Sequence, residues 1–257
     1  MSTSRGQFVW CELATLDAPA ASAFYRAVVG WNMGDAGLPD RDYTVLSAGQ
    51  TPIGGLVAMS QADCKSGAQP GWIGYIAVDD IDAIDARITD AGGAILHPAS
   101  DIPGIGRFAI ASDPQGAVFA VFQAGGEGAM GPAVPGTPGS VGWHELLAQE
   151  RKSAFAFYAD LFGWAPGEAV DMGEMGMYQI FTIGGVPAGG IMTRTATMPA
   201  PFWLYYFNVD HIDAAIGRVR KAGGHITSGP HQVPGGSWIV QCVDPQDCTF
   251  ALVAPMR

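Results

Sequence analysis

The chain has 257 residues, 48% of them hydrophobic and only 14% charged, a composition that can bury a sizeable core and is far from that of a disordered chain. Its 13 Lys and Arg residues stand against 24 Asp and Glu, a net charge of −11, so it lacks the basic stripe of a nucleic-acid binder and the cations that hold a protein to an anionic membrane. No stretch approaches the roughly 18 apolar residues of a spanning helix, the opening MSTSRGQFVW carries no apolar leader, and Cys11, Cys64, Cys242 and Cys248 form no CxxC pair. A cytoplasmic protein with reduced thiols, as monomer or homodimer, is expected.

In chain order, Phe8–Leu16 alternates and ends at Asp17, which predicts a strand. Asp17-Ala-Pro19 opens a helix, with Asp at the N-cap and Pro in the first turn; Phe24, Ala27 and Val28 give it an apolar face, and Gly30 suits its C-terminal stop. Strands are predicted at Tyr43–Ala48, Ile53–Met59 and Ile73–Val78. A helix follows from Asp79/Asp80, with Ile81, Ile84, Ile88 and Ala91 on one face, and stops at Gly92-Gly93. Asp79, Asp80 and Asp210 read as helix caps. Ala94–Leu96, Phe108–Ala111 and Val118–Phe122 close the half as strands.

The second half repeats the first. Trp10-Cys-Glu12-Leu13 returns as Trp143-His-Glu145-Leu146, Phe24-Tyr25 as Phe157-Tyr158, and Gly30-Trp31 as Gly163-Trp164. Trp72 and Tyr75 return as Trp203 and Tyr206, Gly54-Gly55 as Gly189-Gly190, and Asp113-Pro114-Gln115 as Asp244-Pro245-Gln246. Between the halves, residues 125–140 are rich in Gly and Pro and have no hydrophobic period, the composition of a linker. Two domains are therefore expected, 1–124 and 141–257. Each is an α+β pair of βαβββ modules.

Paired βαβββ modules with Phe24-Tyr25…Gly30-Trp31, Phe157-Tyr158…Gly163-Trp164 and Asp-Pro-Gln turns at 113 and 244 resemble the vicinal oxygen chelate superfamily, the glyoxalase, bleomycin-resistance and extradiol-dioxygenase group. The resemblance covers nearly the whole chain outside 125–140 and implies cup-shaped mixed sheets. It also implies a divalent metal in each cup, held by His, Gln or Glu side chains. At the positions it points to stand Trp10, Trp143, Ala120 and Ala251, with Ile73 and Leu204 near the others. Indole, methyl and aliphatic groups donate to no such ion. No cofactor is expected, and a divalent metal could be held only off the family pattern.

Residues two apart on a strand share a face, so Glu12 lies beside Trp10 and Glu145 beside Trp143. A carboxylate near an indole in an apolar cup suits an acid or base; a structural carboxylate bonded inside the cup is the competing account. His144 and Glu145 are adjacent, point to opposite faces and cannot chelate one ion together. Trp10, Trp72 and Tyr75, with Trp143, Trp203 and Tyr206, are expected to line the cups and to suit a flat or cationic small molecule. Core packing is the alternative for them, and the expected one for Phe119 and Phe250. Arg107 could meet an anionic group in the first cup. Two functions follow as expectations: a metal-free small-molecule binding protein, or a lyase, isomerase, dioxygenase or hydroxylase-like enzyme working around Glu12 or Glu145.

Overall fold

The computed structural model describes residues 4–38, 42–65, 67–126, 134 and 136–257. Its strands form two eight-stranded mixed sheets. The first contains β1 (Phe8–Thr15), β2 (Asn32–Asp35), β3 (Tyr43–Ala48), β4 (Thr51–Ala58), β5 (Gly71–Ala77), β6 (Ala94–Ile102), β7 (Gly106–Ser112) and β8 (Val118–Ala124), in the order β2-β3-β4-β1-β5-β8-β7-β6. The second contains β9 (Val141–Ala148), β10 (Ala165–Asp171), β11 (Met177–Ile183), β12 (Val186–Thr193), β13 (Phe202–Asn208), β14 (His225–Gln232), β15 (Trp238–Val243) and β16 (Thr249–Ala254), in the equivalent order. The edge strands β2 and β10 are mostly exposed, short of large apolar residues and without the alternation that marks a strand in sequence. No helix among the described residues is long and apolar enough to cross a membrane.

Helix α1 (Ala18–Val28) starts where the Asp17 carboxylate accepts the Ala20 amide at 3.0 Å, and Gly30 follows it at φ +88°. A short helix α2 (Gln61–Lys65) follows β4. Asp80 caps α3 (Ile81–Asp90), and Glu150 caps α4 (Arg151–Phe162) through the Lys152 and Ser153 amides, which also hold its carboxyl below the usual range. At α5 (Ile212–Lys221) the expected cap Asp210 is not used: His211 takes the N-cap position, with no side-chain bond to the helix.

The compact units do not follow the halves of the sequence. One comprises Met1–Trp10, Gly74–Pro132 and His144–Trp203; the other comprises Cys11–Ile73, Ala133–Trp143 and Leu204–Arg257. Each therefore draws a module from both halves. The core of the second unit shows why. Tyr25 on α1 stacks on Trp31, meets Trp72 and Phe250 edge-on, and donates its hydroxyl to Asp244 Oδ2 at 3.0 Å. Trp72 Nε1 donates to the same hydroxyl at 3.0 Å. The other oxygen of Asp244 accepts the Gln246 and Cys248 amides and so forms the Asp-Pro-Gln turn. The first unit repeats this relay with Trp203, Tyr158, Asp113 and the Gln115 and Ala117 amides.

The expected linker falls partly on residues 127–133 and 135, outside the described residues. Its described ends are built into the units. Gly125 N bonds Ile105 O, Gly139 O accepts the Trp31 indole at 2.8 Å, and Ser140 is buried against Asn208. The four cysteines are free; Cys64 is exposed and the other three are buried.

Candidate functional site

Strand β1 sorts its side chains by parity. Val9, Cys11, Leu13 and Thr15 are buried on its packed face, while Trp10 and Ala14 are half-buried on the other. Glu12 shares that second face and is only 8% exposed. Glu145 on β9 is its equivalent, 7% exposed, with Trp143 half-buried beside it. A carboxylate covered to this degree is costly to bury unless it is bonded or paired.

The register supplies the surroundings. On the neighbouring parallel strand, Gly55 of β4 is the partner of Glu12, and in the other unit Gly190 of β12 is the partner of Glu145. Register partners share a face about 4.8 Å apart. A side-chain carbon at Gly55 would fall on the Tyr43 hydroxyl, and one at Gly190 on the ring and hydroxyl of Tyr178. Each glycine therefore leaves a gap that a tyrosine fills, and each phenol stands over the strand position beside a buried carboxylate. Both tyrosines are half-buried. Tyr43 and Tyr178 are not among the residues expected from the sequence. Their signal was nevertheless in the repeat, since they keep the same spacing to Gly55 and Gly190.

The expected lining aromatics separate. Trp72 and Trp203 are 7% and 4% exposed and donate to the Tyr25 and Tyr158 hydroxyls in the aromatic cores. Residues three apart on a strand point to opposite faces, so neither shares a face with Tyr75 or Tyr206. Tyr75 and Tyr206 are register partners of Ala120 and Ala251. The Tyr206 hydroxyl accepts from Gln241 Nε2 at 3.0 Å, and Tyr75 lies against Phe108. Arg107 is engaged by surface carboxylates. Its guanidinium is held by both Asp82 oxygens, at 2.8 and 3.2 Å, and by Asp101 at 3.3 Å. It is committed to carboxylates of its own unit. Phe119 and Phe250 are fully buried core residues.

His144 lies on the opposite face of β9 from Glu145. Its Nδ1 bonds the Ala188 carbonyl at 2.9 Å and its ring stacks on Phe8 at 3.9 Å. Burial pulls its pKa down to about 4, against the weaker upward pull of the carbonyl. Among the described residues, no three His, Cys, Asp or Glu side chains converge as a metal-holding group. Ala120 and Ala251 present methyl groups and Trp10 and Trp143 indoles, so the residues at the family's positions do not fit a divalent ion.

Comparison with known proteins agrees with this architecture. The model of the Glyoxalase/Bleomycin resistance protein/Dioxygenase superfamily matches residues 7–121 and 141–252. The chain is 29% identical to a protein of Mycobacterium bovis named putative glyoxylase CFP32, over 96% of this chain and 94% of that one. It is 32% identical to the anthracycline biosynthesis protein DnrV of Streptomyces peucetius, over 96% and 93%. Among solved structures, the Mn(II)-bound glyoxalase of Novosphingobium aromaticivorans superposes with TM-score 0.66 at 16% identity, over 99% of this chain and 83% of that one. The 2,2',3-trihydroxybiphenyl 1,2-dioxygenase of Sphingomonas wittichii superposes with TM-score 0.70 at 11% identity, over 98% and 91%.

Proposed function

Since the chain belongs to the Glyoxalase/Bleomycin resistance protein/Dioxygenase superfamily, we propose that it binds a flat aromatic small molecule without the family's metal ligands, with Glu12 in one unit and Glu145 in the other as the buried polar group of each site. The observation that carries this is the pair of equivalent carboxylates, 8% and 7% exposed, on the strand face opposite the packed core. A fold that needed only packing there would place apolar groups. Half-buried Tyr43 and Tyr178, over the strand positions beside these carboxylates, add aromatic surface suited to stacking. The relative named for anthracycline biosynthesis supports a polycyclic ligand for this chain.

A second proposal is favoured by the relatives named as glyoxylases: an enzyme in which Glu12 or Glu145 moves a proton on the bound compound. Such a carboxylate acts as a general base when ionised and a general acid when protonated, and needs no metal for either role.

The test is a thermal-shift screen of aromatic metabolites, followed by Glu12→Gln and Glu145→Gln. Each change keeps shape and removes charge. Stability should move by under about 1 kcal/mol, while affinity for the stabilising compound falls at least tenfold. A large stability loss with unchanged affinity would make these carboxylates structural. Consumption of the bound compound by the wild-type protein, abolished in the variants, would establish the enzyme instead.

A further inference from the structure

The proposed ligand sites leave one duplicated feature unexplained: why the strand position beside each buried carboxylate, 55 and 190, is a glycine. Glycine weakens a strand interior and often marks a place where another group must approach closely. Here that group is a tyrosine. Tyr43 on β3 is the register partner of Val57, two residues along from Gly55, and leans back so that its hydroxyl occupies the place of the missing Gly55 side chain. Tyr178 on β11 is the partner of Met192 and covers Gly190 in the same way. Strand pairing puts Gly55 beside Glu12 and Gly190 beside Glu145 on one face. In both units the carboxylate is the buried member and the phenol the half-buried one. The same four-part device, Glu, Gly, Tyr and the strand register joining them, occurs once in each unit.

We propose that Tyr43 and Tyr178 are the ligand-recognising partners of Glu12 and Glu145: each carboxylate accepts the phenolic hydrogen, and the phenolic oxygen thereby turns its lone pairs to the open side and accepts a hydroxyl from a flat hydroxyaromatic ligand. A carboxylate can only accept a hydrogen bond, and a phenol donates one and accepts others, so the order carboxylate, phenol, ligand hydroxyl satisfies each group in turn. A hydrogen bond to an ionised acceptor is the stronger kind, and it makes the phenolic oxygen a better acceptor. The inference rests on the binding function proposed above and adds to it the class of ligand: one that offers an O–H donor on an aromatic ring. Gly55 and Gly190 are the positions that admit the tyrosines.

Two measurements test it. The first needs no ligand. Melting temperatures of Glu12→Gln, Tyr43→Phe and the double variant form a cycle, and the double variant should lose less than the sum of the two single losses, because neighbours in one hydrogen-bond network do not act independently. Strictly additive losses at both pairs would overturn the pairing. The second compares 2-naphthol with naphthalene by equilibrium dialysis. The wild-type protein should prefer the hydroxylated compound by about tenfold, a single hydrogen bond's worth of affinity. The combined Tyr43→Phe and Tyr178→Phe variant should hold naphthalene as before and lose most of the preference. A preference that survives in that variant overturns this inference alone and leaves the binding function standing. Binding of neither compound by the wild-type protein overturns the aromatic-ligand function, and the recognition role of the tyrosines with it. Gly55→Ala, which displaces the Tyr43 ring and leaves its hydroxyl intact, should reduce the preference as Tyr43→Phe does in that unit. Where Gly55→Ala fails to fold, Tyr43→Phe, which keeps the ring, carries the test.

Discussion

The Tyr25 hydroxyl donates to Asp244 Oδ2 at 3.0 Å across 219 positions of sequence. Both residues belong to motifs that carry the family resemblance, the Phe-Tyr of a first helix and the Asp of an Asp-Pro-Gln turn, and each comes from a different half of the chain. Tyr158 and Asp113 make the reciprocal bond at 3.2 Å. The motifs thus act as architecture: an aspartate shapes its turn with one oxygen and takes a tyrosine with the other. Burial and the neighbouring carboxylate push the Tyr25 phenol well above its ordinary pKa, so it stays a donor.

Tyr25→Phe removes that donor and also the acceptor of the Trp72 indole, leaving two buried polar groups unmatched. The expected loss is roughly 1–3 kcal/mol, read from denaturant midpoints at unchanged slope. Tyr158→Phe should cost a similar amount, since Trp203 and Asp113 are stranded in the same way. Losses below experimental error at both sites would show that the relays contribute nothing net.

Because each compact unit draws on both halves, the halves should depend on each other. Residues 1–130 and 131–257 produced as two separate chains in one cell are expected to copurify and elute together at the size of the whole protein. Either half alone would expose the aromatic face of its first helix and should aggregate or self-associate. Two soluble, monomeric, independently melting halves would count against the interleaved units and favour autonomous domains at 1–124 and 141–257.

The duplication made most of the elements legible, because strand alternation, helix caps and stop glycines recurred at matching places. The interleaving of the halves was not legible: a repeat records similarity, and the partner of Tyr25 is set by packing that no local pattern encodes. Parity on β1 and β9 put Glu12 on the face of Trp10 and Glu145 on the face of Trp143. The same rule, applied to Trp72 and Tyr75, would have separated them, since three residues on a strand reverse the face. β2 and β10 escaped because exposed edge strands with few large apolar residues carry no hydrophobic period. Tyr43 escaped because the diagonal lean of a ring over a glycine depends on the register of β3 against β4.

Arg107 offers a test of a different kind. Its guanidinium lies between Asp82 and Asp101 at the surface, and exposed pairs of this kind contribute little in water and salt. Arg107→Ala should leave both the melting temperature and the affinity for any bound aromatic compound unchanged within error. A clear loss of affinity for an anionic compound, with stability intact, would return Arg107 to the ligand site.

His144 should make stability depend on pH within a defined window. Its Nδ1 faces the Ala188 carbonyl, which can only accept, so Nδ1 carries the proton of a neutral ring. Burial lowers its pKa from 6.5 to about 4. In the unfolded chain the imidazole takes up a proton as pH falls below about 6.5, its ordinary value. The folded protein resists until about pH 4. Between these values the unfolded state binds more protons, so stability falls as pH drops; above and below the window this residue adds no slope. By pH 5 the expected contribution is a loss on the order of 2 kcal/mol relative to pH 7. His144→Asn keeps an N–H for the Ala188 carbonyl and does not titrate. Denaturation of wild type and variant at pH 7 and pH 5 cancels the carboxylates common to both, and the wild type should lose more. Equal losses would mean that the His144 ring reaches solvent readily enough to be protonated in the folded state.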